Sequence, residues 1–297
     1  MQPLLERLKL PGVVIADGAM GTMLLERGLK PGDCPERINL ERPDVLSEIA
    51  RLYLEAGAGI VQTNTFGGSP LKLASYALDG RTEEINARAV SAVREVLGDQ
   101  AYLSASCGPC GKVLEPYGDT SADMVFNSFL RQMEALIAEG VDMICIETMT
   151  DLTEATLAIK AARSVSSSVP VCATMTFDAG PRGFHTIMGT SIGQAIEGLT
   201  HAGADIIGSN CGNGILNMTK IAGEFIDNSA LPIAIRPNAG LPVLKNGVSV
   251  YPESPEFMAK HSHTLMKMGV KIIGGCCGTT PEHIAALRKG VGHEKTR

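Results

Sequence analysis

The stretch THAGADIIGSNCG (Thr200–Gly212) decides the fold. It reads as the tail of an amphipathic helix, a glycine that ends the helix, a short apolar strand, and polar and thiol residues where the strand gives way to a loop. Cys211 thus falls at the C-terminal end of a strand.

The same sentence recurs along the chain. Apolar runs stand at VVIADG (Val13–Gly18), IVQTNTF (Ile60–Phe66), YLSASCG (Tyr102–Gly108), MICIET (Met143–Thr148), VCATMTF (Val171–Phe177), IIGSNCG (Ile206–Gly212), IAIRPNAG (Ile233–Gly240) and KIIGGCCG (Lys271–Gly278). Near-continuous rather than alternating apolarity is expected of parallel strands covered on both faces. Helix-patterned stretches at 43–57, 82–97, 122–140, 153–166, 191–203, 216–228 and 254–269 separate them, and LEAGAGI, IAEGVDM, THAGADI and MKMGVKI share the glycine stop. Strict βα alternation leaves a closed barrel or an open doubly wound sheet, and eight strands in 297 residues suit a single (β/α)8 TIM barrel with its core over about 10–290. The extra length at Leu24–Arg42 and Leu241–Pro252 reads as loops over the mouth.

Composition narrows the class. With 44% hydrophobic and 20% charged residues the chain is globular, and its formal charge of -6, without a basic run, excludes a nucleic-acid partner. The opening MQPLLERLKLPG is interrupted by Glu6, Arg7 and Lys9, so it holds neither a signal-peptide core nor a membrane span. Eight cysteines, two of them adjacent, suit a reducing compartment and metal or thiol chemistry; the expected location is cytoplasmic.

Asp17, Asn64, Ser106, Cys107, Glu147, Cys211, Asn238, Cys276 and Cys277 all lie where strands meet loops, which in a barrel converge on one mouth. Cys211 after the sixth strand and Cys276–Cys277 after the eighth are close enough around the ring to share one tetrahedral metal. Three thiolates with an open fourth position describe a catalytic zinc site. The competing readings are buried core thiols, which fits Cys145 and Cys172, or a strained vicinal disulfide at 276–277. Glycines on both sides of the Cys276–Cys277 pair favour the metal. Asp17 reads equally as a turn or N-cap residue or as a ligand-binding carboxylate; Glu147 competes as a structural ion pair.

DGAMGT (Asp17–Thr22), QTNTF (Gln62–Phe66), IET (Ile146–Thr148), SNCG (Ser209–Gly212), PNAGLP (Pro237–Pro242) and GGCCGTTPEHI (Gly274–Ile284) together resemble the homocysteine S-methyltransferase family, over about Leu10–Gly290. The resemblance is nearest to the homocysteine-binding module of cobalamin-dependent methionine synthases and more distant from members using betaine or S-methylmethionine. It implies zinc on Cys211, Cys276 and Cys277, and Asp17 and Glu147 holding the substrate's amino group.

On that basis the expected reaction is methylation of homocysteine to methionine. The backbone of Gly18, Ala19, Met20 and Gly21 would receive the substrate carboxylate, Asn64 and Ser106 would also bind the substrate, and Asn238 reads either as a displaceable fourth metal ligand through its amide oxygen or as a plain turn residue. The methyl donor expected is a methylcorrinoid, on a separate protein or as free methylcobalamin. S-methylmethionine or betaine is the alternative donor, and a non-catalytic docking subunit of a corrinoid system the alternative of another class. CGPC (Cys107–Cys110) resembles a redox pair but lacks the thioredoxin context, and is read as a turn. His283 is read as a surface or capping residue.

Overall fold

The computed structural model describes residues 1–245 and 248–292. Eight parallel strands follow one another around a ring: β1 (Val14–Ile15), β2 (Ile60–Gln62), β3 (Tyr102–Cys107), β4 (Met143–Met149), β5 (Val171–Met175), β6 (Ile206–Asn210), β7 (Ile233–Arg236) and β8 (Ile272–Ile273). β8 pairs with β1, Ile272 beside Val14, and a single bridge between Ala16 and Ile60 joins β1 to β2, so the barrel closes. The helices α1 (Leu4–Lys9), α2 (Met20–Glu26), α3 (Pro43–Glu55), α4 (Thr82–Leu97), α5 (Ala122–Ala138), α6 (Leu152–Val165), α7 (Ile192–Ala202), α8 (Ile215–Asn228), α9 (Pro255–Met268) and α10 (Pro281–Gly292) complete the architecture. Among the described residues no helix is long and apolar enough to cross a membrane.

Local signals set the element ends. The stop glycines Gly57, Gly140, Gly203 and Gly269 have φ of 92°, 73°, 103° and 92°, a left-handed backbone that any side chain would strain. Ser191 and Ser254 cap α7 and α9 by accepting the N–H of Gln194 and Phe257. Two of the glycines are followed two residues later by an aspartate that ties the next strand to its neighbour. Asp142 Oδ2 accepts Leu103 N–H at 2.7 Å and Arg94 Nη2 at 3.0 Å, and Asp205 Oδ2 accepts Val171 N–H at 2.8 Å and the Arg163 guanidinium.

Two apolar layers follow from the strand period. Outward residues such as Ile15, Val61, Leu103, Ile144 and Ile235 pack under the helices, whereas Val14, Ile60, Tyr102, Met143, Ile206 and Ile272 fill the barrel. Cys145 and Cys172 belong to that interior layer. Leu4 and Leu8 of α1 insert into it, 2% exposed each, and plug the end opposite the mouth.

The structure departs from expectation in two places. Leu24–Arg42 is only partly loop: α2 runs to Glu26, Pro35–Arg37 forms a 3-10 turn and Ile38–Glu41 a helical turn. Pro35, read as a loop residue, instead starts a turn, where its missing N–H costs nothing. The 241–252 segment is a β-hairpin, Val243–Lys245 against Val248–Val250, with residues 246–247 outside the described residues, as are 293–297 of the expected domain.

Candidate functional site

The sulfurs of Cys211, Cys276 and Cys277 lie within 4.8 Å of one another at the mouth, with 3.8 Å between Cys211 and Cys277. Backbone geometry brings them there. Cys211 has φ of 60°, uncommon for a residue with a Cβ and frequent at functional sites. Beyond β8 the chain turns through glycines with no room for a side chain: a Cβ on Gly275 would come within 2.2 Å of Thr279 Oγ1, and one on Gly278 within 2.1 Å of Tyr251 Cγ. The Tyr251 ring thus lies over the turn that carries Cys277. Burial and then the neighbouring Cys277 push the Tyr251 hydroxyl up to about 12.

Asn210 braces the cluster. Its Oδ1 accepts Thr148 N–H and Thr174 Oγ1, both at 2.7 Å, and its Nδ2 donates to Thr148 Oγ1 at 2.7 Å and to Cys276 Sγ at 3.7 Å. As free thiols the three resist ionisation. The hydrogen bond with Cys211 and then burial push Cys276 up to about 12. Cys211 rises to about 11, its bond with Cys276 lowering it less than Cys277 and burial raise it.

A second cluster fills the same mouth. Asp17, Gln62, Ser106, Glu147 and Arg236 are all buried. Glu147 Oε1 accepts from Gln62 Nε2 at 2.9 Å and Ser106 Oγ at 2.5 Å; Asp17 Oδ2 accepts Gln62 N–H at 2.7 Å; Asp17 Oδ1 accepts Arg236 Nη2 at 2.7 Å. Burial raises the Asp17 carboxyl to about 6, against Arg236 and the Gln62 N–H, which lower it.

Gly18 is packed against Thr279 Oγ1 and the Tyr53 hydroxyl, each 2.8 Å from where a Cβ would be. Ala19 donates its N–H to Thr279 O at 3.3 Å, while Met20 and Gly21 lie in the first turn of α2, where no preceding helical carbonyl serves their N–H groups. Asn64 faces elsewhere: its Nδ2 donates to Pro35 O and Asn39 Oδ1, both at 2.8 Å, bracing the segment after α2. Asn238 Oδ1 is buried without a hydrogen-bond partner. The neighbouring Ala239 N–H donates to Cys277 O at 3.0 Å, which sets Asn238 beside the thiols.

Other residues find structural places. Cys107 and Cys110 are fully buried. Cys107 donates to Gln132 Oε1 at 3.2 Å, burial pushes its thiol well above the ordinary range, and burial with Glu154 takes Cys110 to about 12, so neither is a ready thiolate. His283 is buried, not at the surface; its Nδ1 accepts Thr280 N–H at 3.2 Å in a capping role at the start of α10. Sequence reading missed Arg236, Gln62, Asn210 and Tyr251. For Arg236 a signal existed, since an arginine inside an apolar strand demands a buried partner.

Three comparisons bear on this arrangement. A family model described as homocysteine S-methyltransferase matches residues 14–291. Methionine synthases of Mycobacterium leprae and Mycobacterium tuberculosis are 31% and 32% identical over 94% and 95% of this chain, which spans only 24% and 25% of their length. The homocysteine methyltransferase MmuM from Escherichia coli, in its metallated form, superposes with a TM-score of 0.80 at 22% identity, over 97% of this chain and 99% of that one, a likeness of fold. With the match running from β1 into α10, this chain belongs to the homocysteine S-methyltransferase family.

Proposed function

We propose that the protein transfers a methyl group to the sulfur of homocysteine, forming methionine, with zinc held by Cys211, Cys276 and Cys277. The observation that carries this reading is the placement of three thiols and a carboxylate cluster in one mouth, joined through Asn210 and Thr148. The residues fit a metal. Three converging sulfurs would supply soft ligands, and the orphaned Asn238 Oδ1 would supply a weaker, displaceable one beside them. When bound, zinc supplies homocysteine as a thiolate at neutral pH, where a free thiol of pKa about 8.5 is mostly protonated.

The chain's own residues do the rest. Asp17 and Glu147 hold the substrate ammonium, and the first-turn N–H groups of Met20 and Gly21 receive its carboxylate, with Gly18 letting the chain pack against Thr279 and Tyr53 just before that turn. Ser106 and Gln62 hold Glu147 in place. Asn64 acts at one remove by fixing the 35–39 segment, and Asn210 keeps Cys276 facing the other sulfurs. Fixing the amino-acid end orients the sulfur toward the open mouth for in-line attack on a methyl carbon.

The donor we propose is a methylcorrinoid presented from outside the barrel, as cobalamin or on a separate protein. Large apolar side chains stand exposed on the mouth-side loops: Val113 and Tyr117 after β3, Ile187 and Met188 after β5, Leu241 and Leu244 after β7. Such a rim suits a broad partner better than a small donor enclosed in a pocket. Methionine formation from homocysteine, assayed with methylcobalamin, a methylated corrinoid protein, S-methylmethionine and betaine in turn, tests this. Turnover with either corrinoid donor supports the reading; turnover only with S-methylmethionine or betaine reassigns the donor; none with any donor removes the activity.

A further inference from the structure

Arg236, at the end of β7, is 6% exposed, and each of its three side-chain nitrogens is committed to the protein. Nη2 donates to Asp17 Oδ1 at 2.7 Å and, at 3.4 Å, to Asp17 O; Nε donates to Gly275 O at 3.2 Å; Nη1 donates to Gln62 Oε1 and lies 3.5 Å from Glu147 Oε2. Gln62 completes a relay. Its Nε2 reaches Glu147 Oε1 at 2.9 Å while its backbone N–H holds Asp17 Oδ2 at 2.7 Å. Arg236 therefore spends four of its five N–H donors on the protein and lies against both carboxylates.

The charge sum is informative. Two buried carboxylates in one site cannot both remain ionised without compensation. One guanidinium compensates one of them and leaves a single negative charge, the complement of one ammonium. We infer that Arg236 is a positioning residue that ties Asp17 and Glu147, through Gln62, into a preformed cradle of net charge minus one, ready to take the ammonium of a thiol amino acid without first releasing a proton. The inference rests on the proposal that these carboxylates hold the substrate ammonium.

The surroundings agree. Burial takes Asp17 to about 6 even with Arg236 beside it holding it down, so removing the guanidinium raises that carboxyl further. The other titratable groups facing the cluster are Tyr53 from α3, held far above neutrality by burial, Cys145 from β4, also raised, and Cys276 after β8. None of them replaces the lost positive charge.

Calorimetry on the zinc-loaded protein, at pH 7 in buffers of different ionisation enthalpy, reads this directly. The ligands are homocysteine and 4-mercaptobutanoate, which keeps thiol and carboxylate but lacks the amine. The wild type should prefer homocysteine by roughly tenfold or more and release about one proton, from the thiol. Arg236→Met should release close to two protons with homocysteine and about one with 4-mercaptobutanoate, and bind homocysteine roughly 10- to 100-fold more weakly. Gln62→Met, which breaks the relay and keeps the charges, should weaken homocysteine roughly tenfold at an unchanged proton count and leave 4-mercaptobutanoate unaffected. It serves as the test should Arg236→Met not fold. A one-proton count in Arg236→Met, or equal weakening of both ligands in either variant, overturns the inference and makes the residue merely structural. A wild type that does not discriminate between the two ligands sinks the ammonium reading itself, and the inference with it.

Discussion

Cys211 Sγ stands 3.8 Å from Cys277 Sγ although the two residues are 66 positions apart in the chain. A left-handed backbone at Cys211 and a glycine-lined turn after β8 produce that contact, and neither conformation contributes to the barrel's core. The sulfurs are therefore placed at a local conformational cost of roughly 1–3 kcal/mol for the Cys211 backbone, which a bound metal would offset.

Metal content should follow the thiols. We expect about one zinc per chain, and Cys211→Ala, Cys276→Ala and Cys277→Ala should each lose most of the metal and the activity while the far-ultraviolet circular dichroism stays unchanged, since the core lies under the helices and inside the barrel. Full zinc retention in any of these variants, by elemental analysis, would remove that cysteine from the site.

Asp17→Asn and Glu147→Gln should weaken homocysteine binding by roughly 10- to 100-fold, the range of charged hydrogen bonds at about 1.5–3 kcal/mol, and leave zinc content unchanged. Calorimetry together with metal analysis separates the two effects. Unchanged affinity in both variants would mean that the carboxylates serve only Arg236.

How much of this was legible in the sequence depends on the kind of signal. The strands and the stop glycines were, because Gly57, Gly140, Gly203 and Gly269 stand at left-handed positions that glycine best fills. The cysteine positions were also readable, since a thiol at the end of an apolar run is conspicuous. Helix α1 was not: six residues are too few for a stable isolated helix, and α1 persists only because Leu4 and Leu8 are buried in the barrel. Arg236 and Gln62 were passed over because their partners are 219 and 85 residues away in the chain, Asp17 and Glu147 respectively. The turn of Asn64 toward Asn39 was hidden for the same reason.

Acid should expose Asp17. Its carboxyl is at about 6 in the fold against 3.8 ordinarily, so its protonated form favours the folded state; that contribution is present below about pH 4 and is lost as the pH rises through 6. A bound ammonium favours the ionised form instead. Homocysteine affinity should therefore fall by about tenfold per unit of pH from the thiol alone, and by about a hundredfold per unit below roughly pH 6 as Asp17 takes up a proton. With zinc content followed in parallel, titrations from pH 5 to 8 check this, and Asp17→Asn should abolish the break. A wild-type profile without a break would place Asp17 outside the binding pocket.

Zinc X-ray absorption of the metal-loaded protein, with and without homocysteine, tests the central claim most directly. Three sulfur ligands and one lighter atom in the resting protein should become four sulfurs when homocysteine is added, the lighter atom being the Asn238 oxygen or water. A zinc sphere that gains no sulfur on saturation with homocysteine would contradict the account.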